Sequence, residues 1–313
     1  MAASWAWGVS LAVSFSILET KGFIPFAIWG FCNVSALLVF GMFTLKYPAY
    51  LNWMDNRIAK LFMFIIQIFS IWINIKVLAA FTSAGIAVLF AVALCFAVYK
   101  WGFSFSVKSD IAQYLMMIIG LIMIILIGLV LGTFENKYQL LMSESYITWA
   151  VYGGIGLLSG PFLDVQQLQR AANNPAKETF IYASGFFGIY LLLVFLASFF
   201  KAGVAGWIVA FLLAISVMGI TTSTIDAAVA ALYRITTRTK ATIISLAAIS
   251  SWWVIQTPTV SDFWYLYATS RIYVVAPMIF IVVMKWQWMI SIKEDSYFMQ
   301  KLKNIKTILQ KRS

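Results

Sequence analysis

The sequence predicts an all-α polytopic membrane protein of about ten transmembrane helices. Two observations carry this. The chain of 313 residues is 63% hydrophobic and only 11% charged, with mean hydropathy +0.91, where a soluble domain carries about a quarter charged residues. Its apolar runs repeatedly reach the roughly 20 residues that cross a ~30 Å hydrocarbon core.

In order, the expected spans are Ala2–Leu18, Phe23–Leu45, Ile58–Phe81, Gly85–Trp101, Ile111–Gly132, Ile147–Val165, Phe180–Phe200, Gly203–Leu232, Ala241–Ile255 and Phe263–Met284. Connections are short, so residues 1–286 form a single transmembrane core. No run reads as a free-standing signal peptide, because the first lacks a basic region before it. Residues 287–313 read as a basic amphipathic tail, with Phe298, Leu302, Ile305 and Leu309 interleaved among Lys301, Lys303, Lys306 and Lys311. Such a segment suits the anionic cytoplasmic leaflet.

With the amino terminus placed inside, 17 of the 22 basic residues fall on the cytoplasmic side, 4 fall outside, and Arg271 lies within a span. That bias predicts a multi-pass plasma or cell inner membrane protein with both termini cytoplasmic. It also accounts for the net charge of +11 by span ends and lipid headgroups, so the lipid bilayer and not nucleic acid is the expected partner. The absence of His, with Cys32 and Cys95 both in apolar spans, argues against a Cys/His metal cluster, a disulfide framework and an intramembrane hydrolase. No enzymatic activity is expected.

Three regions combine polar groups with helix breakers at membrane depth. One is Ala3-Ser4-Trp5-Ala6-Trp7-Gly8. The second runs from Gly153-Gly154 through Gly156, Ser159, Gly160 and Pro161 to Asp164, Gln166, Gln167, Gln169 and Arg170. The third spans Thr221 to Asp226, including Ser223 and Thr224. Intramembrane polar groups are costly unless they face a partner, a cavity or an ion. Carbonyls freed by Gly and Pro, and adjacent hydroxyls, are the hard oxygen ligands small cations take. The bland alternative is close helix packing through small residues. Asp110, beside Lys108, and the stretch from Asp164 to Arg170 also suit cytoplasmic helix ends. Arg271 has two readings: it snorkels outward, or it pairs with Asp226 or an anionic group in a pathway.

The segments Gly102-Phe103-Ser104-Phe105-Ser106-Val107-Lys108-Ser109-Asp110-Ile111-Ala112-Gln113, Asp164-Val165-Gln166-Gln167-Leu168-Gln169-Arg170-Ala171-Ala172 and Ser223-Thr224-Ile225-Asp226 resemble, in this order, motifs of the sodium:solute symporter family. The resemblance spans roughly Ala3 to Trp286. It implies a LeuT-type fold, a five-plus-five inverted repeat, that imports a small organic solute by sodium-coupled alternating access. It implies a Na+ site between core helices one and eight, built from the Ser223 and Thr224 hydroxyls and the carbonyls of Ala3, Ala6 and Ile220. Solute would sit against broken helices one and six, walled by Trp5, Trp7, Gly156, Ser159 and Gly160. Asp110, Asp164, Asp226 and Arg271 are candidates for an ion pathway. Ser-Trp-Ala-Trp-Gly followed by Lys21-Gly22-Phe23 is similar to the urea-transporter branch, which implies a urea-like solute. The amino-terminal half of that family's first core helix has no counterpart before Ala3. Two alternatives remain open: a ten-helix drug/metabolite carrier, and a sensory or regulatory membrane module that binds solute without moving it.

Overall fold

The computed structural model describes residues 1–6, 8–48, 50–51, 57–134, 144–174, 176–200, 225–226, 228–230, 232, 236–254 and 264–277. The elements are α1 (Ala2–Trp5), α2 (Gly8–Thr20), α3 (Phe23–Lys46), α4 (Arg57–Phe81), α5 (Ala84–Leu131), α6 (Glu144–Leu163), α7 (Val165–Asn173), α8 (Lys177–Ser198), α9 (Arg238–Ser250) and a helix over residues 264–277, α10. No strand occurs among the described residues. The chain divides into two compact units, Met1–Ile272 and Tyr273–Ser313. The first is described below; of the second, residues 273–277 are helical. The expected tail over 287–313 lies outside the described residues.

Among the described residues, four helices are long and apolar enough to cross a membrane: Phe23–Lys46, Ala59–Ala80, Ala84–Leu131 and Lys177–Ser198. With no strands among the described residues, the protein is an all-α integral membrane protein. Lys21, between α2 and α3, holds its ammonium over the rings of Tyr146 and Trp149, 4.9 and 4.7 Å from their centroids. Aromatic–cation pairs of this kind are at home at a membrane–water interface.

The spans expected at Gly85–Trp101 and Ile111–Gly132 are joined differently from the expectation. No loop separates them: α5 spans 48 residues as two helical segments meeting at a kink, from a Ser83 cap, whose hydroxyl accepts from Ile86 N at 3.3 Å, to a left-handed Gly132. Its one non-helical residue is Gly102, at φ 61° and ψ −149°. Asp110 therefore does not begin a helix but lies inside one. The two segments either side of Gly102 are each long enough for one crossing at 1.5 Å per residue. A side chain at Gly102 would force this essentially glycine-only backbone conformation. Gly102→Ala is expected to destabilise the fold by about 1–3 kcal/mol, measured by thermal unfolding in detergent; an unchanged midpoint would contradict the kink.

The centre of the bundle is α3, which packs most extensively on α6 and then on α8. Phe162 of α6 is ringed edge-on by Phe40, Phe43 and Tyr50, with centroids 5.3, 5.2 and 5.6 Å away, a geometry that suits the aromatic quadrupole. On α4 a buried polar stripe recurs at heptad spacing: Lys60, Gln67 and Asn74, with Ser70 between the last two. Seven residues return a helix to nearly the same face, so these groups line one edge of α4 against the protein interior.

Candidate functional site

Two interrupted helices face each other. The first expected span is not continuous. Helix α1 ends at Ala6, whose ψ of 80° departs from helical geometry, and α2 resumes at Gly8. The sixth span breaks at Asp164, at φ −85° and ψ 107°, between α6 and α7. Pro161, lacking an N–H, already removes the helical donor that Leu157 would receive. The Asp164 carboxylate then caps α7, accepting from Gln166 N at 3.0 Å.

Each break frees a carbonyl, and each freed carbonyl is bound by a side chain from another element. Tyr50 donates its hydroxyl proton to Phe162 O at 2.6 Å. Gln113 of α5 donates Nε2–H to Ala6 O at 2.8 Å. The breaks are also joined directly, because Gln167 donates to the Ser4 hydroxyl at 3.1 Å. Gln67 of α4 reaches Asp164 Oδ1 at 3.3 Å. Non-helical backbone at membrane depth is tolerated where it is enclosed by protein in this way.

Two groups of buried charge flank the breaks. In one, Arg170 of α7 forms an ion pair with Asp110 of α5 and donates to Gln166 O at 3.0 Å. Both residues are buried. Asp226 is buried too, within the electrostatic reach of Arg170 and Arg238 and beside Ser106. Asp110, Asp164 and Arg170 are thus enclosed by protein, and Asp110 does not stand at a helix start. A partner 60 residues away lets a carboxylate sit in the interior where an unpaired one could not.

The second group is Arg271 of α10 with Asp164, which interact electrostatically. Arg271 is 2% exposed, so it does not snorkel, and Asp226 is not among its charged neighbours. Its position follows from glycines on α6. At Gly156 the Ala268 carbonyl of α10 occupies the place a Cβ would take. One turn along, the space over Gly160 is filled by the Arg271 guanidinium and the Trp5 ring. The Gly-x-x-x-Gly spacing thus lets α10 lie backbone to backbone on α6.

Arg271, Trp5, Ser10, Asn33, Leu157, Trp264 and Tyr267 line a small cavity with about 20 Å³ open to the centres of water molecules, room for about one water. Trp5 is fixed there by an Nε1–H donation to Asn33 O at 3.3 Å.

Of the expected solute wall, Trp5 lines this cavity and Gly160 lies beneath Trp5 and Arg271. Gly156 packs against α10 instead. The Ser159 hydroxyl donates back to Gly156 O at 2.7 Å, a local helix bond. Trp7, Ile220, Ser223 and Thr224 lie outside the described residues. Of the implied sodium ligands, Ala6 presents a carbonyl freed from the helix, whose second lone pair remains available beside Gln113. Ala3 lines a separate apolar groove with Ile111, Tyr114, Leu115, Tyr182 and Phe186. The expectation did not single out Gln67, Asn33 or Ser10. Each is a buried polar residue in an apolar span, which is itself a signal at membrane depth. No protein-family model matches the chain, and no curated protein matches it.

Proposed function

We propose that the chain is a sodium-coupled symporter importing a small organic solute by alternating access. The observation that carries this reading is the pair of interrupted helices, at Ala6 and Asp164, enclosed together and cross-linked through Ser4 and Gln167. Paired helix breaks near the bilayer midplane are how secondary transporters expose carbonyls and helix ends to ions and solutes. The five-plus-five inverted repeat is part of this proposal, as are the plasma or cell inner membrane and cytoplasmic termini favoured by the cation bias.

Sodium would bind Ser223 and Thr224 with carbonyls of Ala3, Ala6 and Ile220, tying the first helix to the eighth span. The solute would enter between Trp5 and α10. A cavity with room for one water does not admit an organic solute, so entry requires the Trp5 ring to swing off Gly160. Rigid-body rocking about the two breaks supplies that opening.

The test is solute uptake into proteoliposomes, with and without an inward sodium gradient. A gradient-dependent uptake is expected. In the Ser223→Ala, Thr224→Ala double variant, the sodium concentration for half-maximal uptake should rise at least tenfold, about 1.4 kcal/mol. Unchanged sodium dependence in the folded double variant would refute the site.

A further inference from the structure

Arg271 is a buried cation whose guanidinium fork is only partly engaged. It is 2% exposed, and its Nε and Nη2 are buried without a hydrogen-bond partner. Its guanidinium stacks on Tyr267 of the same helix, 3.8 Å from the ring centroid, which leaves the edge of the fork unused. Among the described residues no carboxylate lies within ion-pair distance of it. Asp164, its electrostatic neighbour, directs Oδ1 to Gln166 N and Gln67, while its Oδ2 is buried without a hydrogen-bond partner. The residue lines the cavity together with Trp5, Trp264 and the amide-bearing Asn33.

A guanidinium offers parallel N–H donors in a planar fork, matched in spacing to a carboxylate. A buried cation inside a membrane protein whose neighbouring carboxylate is not in ion-pair contact with it is a candidate ligand site. Around it, indole and phenol rings offer apolar walls for a short carbon skeleton.

We propose that the transported solute is a small monocarboxylate and that Arg271 binds its carboxylate through the guanidinium fork. This rests on the transport reading above and narrows its substrate class. It departs from the neutral, urea-like solute that the sequence resemblance implies. Trp5 then acts as the cover, because its ring and the guanidinium share the space over Gly160.

Isosteric pairs test this directly. The purified full chain in detergent at pH 7 is titrated with acetate, propionate or lactate, and in parallel with acetamide, propionamide or lactamide. Chloride balances the ionic strength, and thermal unfolding is followed. At least one acid should raise the midpoint saturably while its amide leaves it unchanged. Arg271→Gln should raise the half-saturating concentration at least tenfold. Arg271→Lys, which keeps the charge and loses the fork, should fall between. Equal stabilisation by acid and amide, stabilisation by none of the acids, or undiminished acid binding by folded Arg271→Gln would each overturn the proposal. If Arg271→Gln does not fold, the acid–amide comparison on the unmutated chain decides alone. The assay needs no gradient. Carboxylate binding without sodium-driven uptake would therefore sink the transport reading and leave the recognition by Arg271 standing.

Discussion

Asp110→Ala is expected to destabilise the protein by about 3 kcal/mol, the lower end of the range for breaking a buried ion pair. The substitution strands the buried Arg170 guanidinium, which keeps its bond to Gln166 O and the field of Asp226. Those remaining interactions set the loss at the lower end. Removing both charges should cost less than removing one. In the Asp110→Leu, Arg170→Met variant neither member of the pair is stranded, although Asp226 keeps only the field of Arg238, and apolar replacements of buried pairs are often neutral. Unfolding by denaturant in detergent, run on the single and paired variants, measures the coupling. A loss below about 1 kcal/mol for Asp110→Ala, the range of exposed pairs, would show that the pair is solvated.

Gly156→Val should be comparably damaging, by about 3 kcal/mol, the upper end of overpacking costs. The atom a new side chain meets is the Ala268 carbonyl, and main chain cannot rotate away as a side chain can. Helix α10 would have to lift from α6, moving Arg271 off Gly160 and opening the cavity. The control is Gly185→Ala on α8, where a Cβ meets nothing within 4 Å. There alanine should be neutral or stabilising by up to about 1 kcal/mol, its advantage in helix propensity. Equal behaviour of the two variants in thermal unfolding would remove the argument for backbone contact at Gly156.

The membrane class was legible because apolar run length and cation bias are local properties of sequence. The sixth-span break was legible for the same reason, with Gly160, Pro161 and Asp164 concentrated in five residues. At Ala6 no proline or special torsion marks the break beforehand. The Ala-Ser-Trp-Ala-Trp-Gly run drew attention only by its polarity and small residues. Asp110 misled because a carboxylate beside Lys108 looks like a helix start at a surface. What buries it is Arg170, and pairing across 60 residues leaves no local trace. At Gly156 the sequence shows a glycine in a polar segment but not the helix that packs on it. Arg271 eight residues into a span read as a snorkelling side chain, and only the packing of α10 on α6 turns it inward.

The polar stripe on α4 has a consequence for biogenesis. Helix α4 reaches the bilayer carrying Gln67 and Asn74 on its inner edge, but Asp164, which receives Gln67, is made 97 residues later. At synthesis rates of 5–20 residues per second, that interval is about 5–20 s. Lipid cannot bond these amides in the meantime. The helix available to shield them from the start is α2, which packs against α4 in the finished protein and precedes it on the ribosome. The order of the first spans in the chain is thus also an order of protection for the α4 amides.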